Sequence, residues 1–273
     1  MTHLPSIRIK HNEASSLLEV CKQPFLCFYL FVFASRQMIN ALFYAFPFPA
    51  QLRVSAYLII QIAYILLLVL LMRKEVSNFR EYGYLWPEET RKYAVISLLL
   101  AILYSFVTIF MPGISTGYDI FPSPSFTEGF LAILVALTAS LTSETIFRGY
   151  IQSNLTKLGG FPLALLITSV MFALYEFTLL PFNLFHFFRE VLSSLGVGIF
   201  LGILFYRTKT LLCPIIFYFT ILTLKLLTPI RGVTSEYTEL FFEFVALALA
   251  SLLLSISIVK DEKPTLNQQD MFL

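Results

Sequence analysis

Apolar residues run along the chain in stretches of roughly twenty, broken by short polar or proline-bearing punctuation. Runs of about 18 or more apolar residues read as helices that cross a bilayer. The pattern predicts eight such spans, at 24–47, 53–72, 94–111, 128–154, 161–181, 190–206, 210–229 and 238–259. The fold class is therefore all-α, a polytopic membrane helix bundle, with residues 1–273 forming one transmembrane domain. The fourth span is long for a bilayer and must tilt or emerge at its end. Pro181, Pro214 and Pro229 mark helix boundaries or kinks. Residues 112–127, with Pro112, Gly113, Gly117, Pro122 and Pro124, read as an irregular loop. Residues 75–92 are polar, hold Trp86, and suggest a short interfacial helix.

Composition agrees with this layout. The chain is 58% hydrophobic and 13% charged, with a mean hydropathy of +0.79. A soluble core does not need so much apolar sequence. A net charge of +2 gives no basis for nucleic-acid binding. Residues 1–22 lack the short apolar core and cleavage site of a signal peptide. Cys21, Cys27 and Cys213 have no metal or redox spacing, and Cys27 and Cys213 are expected as small packing residues in apolar helices. Lysine and arginine are concentrated on one side of the predicted bundle, from Arg73, Lys74, Arg80, Arg91 and Lys92 to Lys157, Arg207 and Lys209. The other side carries Arg53, Arg189 and Arg231, with Lys225 near a span end. This bias places both termini in the cytoplasm of an integral, multi-pass membrane protein.

Charges inside the apolar spans carry the chemical interest, because each costs about 2.5 kcal/mol or more at the bilayer centre unless paired or hydrated. Glu144 and Arg148 lie four residues apart in Thr142-Ser143-Glu144-Thr145-Ile146-Phe147-Arg148-Gly149-Tyr150, so one helical face carries both. They read either as a structural pair near the cytoplasmic end of the helix or as part of a site. Glu176 falls about 22 Å of helix rise into the fifth span, where a carboxylate must be protonated or paired. Arg36 falls about 18 Å into the first span and needs an anion unless it snorkels; Glu176 lies at a similar depth. Gly198 and Gly202 form a small-xxx-small pair that admits a close helix neighbour. The chain has no HExxH, Gly-x-Ser-x-Gly or Walker motif. Its histidines, His3, His11 and His186, all fall outside the predicted spans, so no imidazole base is placed in the membrane core. Neither a metal nor a cofactor is implied.

Ser143-Glu144-x-x-x-Arg148-Gly149-Tyr150-x-Gln152 resembles the first motif of the CPBP family, the CAAX-processing and bacteriocin-processing intramembrane glutamic endopeptidases. The usual form of that motif is EExxxR followed by G-Y-x-Q. Phe172-Ala173-Leu174-Tyr175-Glu176 resembles the second motif, FxxxH. The run from Gly198 through Gly202 to Pro214 is similar to the approach to the third. The resemblance covers about 128–229, the protease-like core, and the eight-span layout agrees with the CAAX protease branch.

The resemblance implies a catalytic glutamate at the place of Ser143 and a water-activating histidine at the place of Glu176. It further implies an oxyanion-stabilising histidine and asparagine at Tyr218 and Leu222. Of the family's charged positions only Glu144 and Arg148 are kept. The expected function is a catalytically inactive relative of these proteases that acts as a membrane binding or scaffold protein. Its partners would be membrane lipid and a membrane protein or peptide. Two alternatives stand beside it: a divergent endopeptidase using Glu144 or Glu176 as base, and a small transporter with Arg36, Glu144 and Glu176 along its pathway. By position in the resemblance, Ser143 and Glu176 should be within hydrogen-bonding reach, directly or through one water. Arg36 is the expected charge partner of Glu176.

Overall fold

The structure, a computed structural model, describes residues 24–75, 79–84, 87–111, 125–180, 182–228 and 236–259. The expectations placed on residues 1–22, Cys21, Trp86, Pro181, Pro229, Arg231, the 112–124 part of the loop and the tail after Lys260 lie outside the described residues. Among those described there are eight long helices and no strand. They are α1 (Pro24–Ala45), α2 (Ala50–Glu75), α3 (Thr90–Ser105, continued by a π-helical stretch Phe106–Phe110) and α4 (Phe126–Gly159). The second half of the bundle comprises α5 (Phe161–Glu176), α6 (Leu184–Thr208), α7 (Leu212–Leu227) and α8 (Glu236–Val259). Five of the eight are long and apolar enough to cross a membrane, and the apolar stretches Phe161–Glu176, Leu212–Leu227 and Phe241–Leu254 are shorter.

Local sequence sets the breaks. Ser125 and Glu128 form a reciprocal capping box at the start of α4, satisfying two donors that the first turn leaves over. Gly160, at φ 78°, takes a conformation unfavourable for a side chain and separates α4 from α5, with proline in the first turn of α5. Asn183 caps α6 through its side-chain oxygen, so that helix begins several residues before the expected span and takes in His186. Pro214 falls in the first turn of α7, where a missing N–H costs nothing, and makes no break there. Hydroxyls inside the spans bond their own helix: Thr138 to the Leu134 carbonyl, Thr142 to Thr138 and Thr220 to Ile216.

The largest departure from the sequence pattern is at the end of α5. The helix stops at Glu176 because Phe177 turns to extended geometry (φ −67°, ψ 138°). Glu176 is thus a helix terminus and not a mid-helix residue. In α4, Thr145–Gln152 winds as a π-helix whose eight residues are all buried. Among the described residues between α2 and α3, Phe79–Tyr82 forms a 3-10 turn whose Tyr82 is completely buried beneath Lys157 and Tyr150. Cys213 is buried as expected, whereas Cys27, expected as a packing residue, is exposed on α1.

Packing places α7 between α3 and α4, α5 against α6, and α8 against α6 and α3. Phe147, Phe172, Phe200, Phe217 and Tyr175 fill the centre. The outward faces are apolar as well: Ile59, Leu66 and Leu70 of α2 and Val95, Leu99 and Ile102 of α3 are exposed. A bundle with large apolar side chains on its outside suits a hydrocarbon surround and not water.

Candidate functional site

Two charged clusters organise the centre. The first is built on the π-helical stretch of α4. Arg148 Nη1 donates to Glu144 Oε1 at 3.0 Å, and both side chains are 0% exposed. Arg148 Nη2 donates to the Gly198 carbonyl at 3.0 Å, and its guanidinium lies 4.5 Å from the centre of the Phe172 ring. One turn on, Gln152 Nε2 donates to the Gly202 carbonyl at 3.1 Å. A helix carbonyl keeps a second acceptor site after its intrahelical bond, so these donors grip α6 without unwinding it. The glycines make the approach possible. A Cβ on Gly198 would fall 3.2 Å from Ser169 Cα of α5, and one on Gly202 would fall 3.1 Å from Gln152 Oε1. The small-xxx-small pair therefore admits both a neighbouring backbone and a polar clamp.

The second cluster fastens α1 to the broken end of α5. Arg36 Nη2 donates to Glu176 Oε2 at 3.0 Å, and the two side chains are 19% and 20% exposed. The Arg36 guanidinium also lies 4.0 Å from the centre of the Tyr175 ring. Next to it, Gln37 Nε2 donates to the Phe177 carbonyl at 2.7 Å and Gln37 Oε1 accepts from Leu179 N at 3.3 Å. These bonds take up backbone groups left over where the helix ends. Asn40 accepts from the Tyr57 hydroxyl, joining α1 to α2.

The Arg36–Glu176 pair is mostly but not fully withdrawn from solvent. Its coupling should exceed the roughly 0–1 kcal/mol of an exposed pair and fall below the about 3–5 kcal/mol lost on breaking a buried one. A double-mutant cycle with Arg36→Gln and Glu176→Gln, read by thermal unfolding in detergent, should give about 1–2 kcal/mol. Additive effects would contradict the pairing.

Two cavities meet at this cluster. One, of about 380 Å³, is bordered by α3, α5, α6, α7 and α8. The other, of about 520 Å³, is bordered by α1, α2, α4, α5 and α7. Glu176, Tyr218, Leu222 and Lys225 border both. The structure thus gathers three sequence-predicted positions, Glu176, Tyr218 and Leu222, around one bipartite space, with Arg36 on the second chamber. It does not bring motif one to that space. Ser143 is buried at 1% exposure, Glu144 is held by Arg148, and neither borders a chamber. No direct hydrogen bond joins Ser143 to Glu176 among the described residues; the Glu176 carboxylate takes its hydrogen bond from Arg36.

Several lining residues escaped the sequence reading. Lys225 reads as a charge near a span end, and the sequence reading assigns no role to Glu190, Glu243 or Gln61. The same cost of burying charge that singled out Arg36 would have flagged Lys225 and Glu243. Among the described residues no group of three His, Cys, Asp or Glu side chains is arranged to hold a metal.

Comparison with known proteins places residues 125–224 within the family model of the type II CAAX prenyl endopeptidase Rce1-like proteins. No curated protein matches the chain.

Proposed function

We propose that this membrane protein, whose residues 125–224 match the family model of the type II CAAX prenyl endopeptidase Rce1-like proteins, keeps that family's cavity without its hydrolysis. It acts by holding a membrane protein or peptide partner. The observation that carries this reading is the chemistry bordering the cavity. The one carboxylate at the family's water-activating places, Glu176, is occupied by the Arg36 guanidinium. The other place is Ser143, buried away from both chambers. A hydroxyl without a base to take its proton does not activate water. At the two oxyanion places, Tyr218 has one hydroxyl to donate and Leu222 has none.

A second reading has a specific observation in its favour. Glu176 borders both chambers. If the protein does cleave peptides, Glu176 and not the enclosed Glu144 is the group placed to meet water.

A photo-crosslinking amino acid at position 222, activated in native membranes, tests the binding role. Adducts to an intact membrane polypeptide are expected, read by mass spectrometry. Absence of any adduct, or adducts only to truncated products, would contradict it. We also assign both termini to the cytoplasm, on the lysine and arginine bias. Labelling of a cysteine at position 120 from the cytoplasmic side would reverse that orientation.

A further inference from the structure

We propose that the two chambers form one site for a zwitterionic phospholipid headgroup, with its phosphate at Lys225 and its ammonium in the first chamber. The inference rests on reading the cavity as a binding site, but not on the absence of hydrolysis.

Lys225 is the starting point. It stands on α7 where the chambers meet, and among the described residues no carboxylate lies within salt-bridge distance of it. The other cation on the wall, Arg36, is already held by Glu176 at 3.0 Å. An exposed ammonium bordering a cavity, with no carboxylate within salt-bridge distance among the described residues, is suited to a ligand anion.

A simple anion does not fit the rest of the wall. The first chamber also carries the carboxylates of Glu190 and Glu243. Glu190 is balanced by Arg189 at 3.0 Å, a residue that stands outside the lining. Beside these acids the hydroxyl-bearing rings of Tyr104 and Tyr218 face the same space. Carboxylate charge together with aromatic faces is the chemistry that receives an organic ammonium.

The second chamber supplies the remainder. Leu58, Val135, Ala139 and Leu226 give it an apolar wall suited to the first part of an acyl chain. Gln61, 7% exposed, and Asn40, 8% exposed, add polar side chains to the same wall. Both volumes fall within the roughly 300–1,000 Å³ of small-molecule sites. The order of groups along the cavity is ammonium, phosphate, then chain, which is the order in a phosphoethanolamine or phosphocholine lipid.

The test is equilibrium binding of four single-chain probes to the full-length protein in maltoside micelles. Two are zwitterionic: oleoyl lysophosphatidylethanolamine and oleoyl lysophosphatidylcholine, which separate a primary from a quaternary ammonium. Oleoyl lysophosphatidate lacks the ammonium, and oleylamine lacks the phosphate. At least one zwitterionic probe should bind about tenfold more tightly than either comparator, as expected for one additional charge-assisted contact. Lys225→Gln, at an exposed position, should weaken the phosphate-bearing probes about tenfold and leave oleylamine unchanged. Glu243→Gln should weaken the ammonium-bearing probes and spare lysophosphatidate. Equal binding of all four probes, insensitive to both substitutions, would be micelle partitioning and would overturn the proposal. So would displacement of the lysolipid by an unlipidated zwitterionic tripeptide at lower concentration, which would assign the site to a peptide. Peptide cleavage is read in a separate assay, so a failure there falls on the proposed function alone.

Discussion

Arg148→Ala should leave little folded protein in detergent. The guanidinium is fully enclosed and supports two acceptors, the Glu144 carboxylate and the Gly198 carbonyl. Removing it strands Glu144 without its cation and uncouples α4 from α6 at the same point. Breaking a fully buried pair from one side typically costs about 3–5 kcal/mol, a large part of the roughly 5–15 kcal/mol that keeps an ordinary domain folded. The position of the pair toward the cytoplasmic end of a long helix suggested a smaller loss. Burial inside the bundle, at 0% exposure for both side chains, sets the larger one. Arg148→Lys should not rescue fully, because one ammonium cannot reproduce a planar fork aimed at two acceptors. The double variant Arg148→Met with Glu144→Gln should recover part of the loss by removing the stranded charge. Thermal unfolding and monodisperse yield measure all three, and an unchanged melting temperature for Arg148→Ala would contradict the clamp.

How much of this was legible beforehand depends on which physical rule applied. The eight helices follow from apolar length, since a bilayer demands it and tertiary contacts scarcely alter it. The Arg36–Glu176 pair followed from charge cost and matched depth. Depth was misjudged for one of the two: α5 ends at Glu176 because Phe177 leaves the helix, and an apolar run through Leu179 and Leu180 gives no sign of that break. The π-helical turn at Thr145–Gln152 was equally silent, because its residues are individually compatible with an α-helix. The expected Ser143–Glu176 contact was inferred from positions in a family motif, not from packing. The carboxylate is met by a guanidinium from α1, and Arg148 and Gln152 of motif one bond to α6. A lysine near a helix end passes as a snorkelling surface charge, so Lys225 became informative only when the cavity beside it was visible.

Loss of hydrolysis is the other large expected effect. A positioned general base contributes about 10²–10⁴-fold and a single oxyanion donor about 10²–10³-fold to rate. Ser143 and Leu222 supply neither, and Glu176 has a guanidinium on its oxygen. The decisive measurement is incubation of the purified protein in lipid nanodiscs with a farnesylated CAAX peptide, with release of the C-terminal tripeptide followed by mass spectrometry. The account predicts intact peptide, with no release above that of empty nanodiscs. Tripeptide release that is lost on Glu176→Gln, or on Glu144→Gln in a variant shown to be folded, would contradict it.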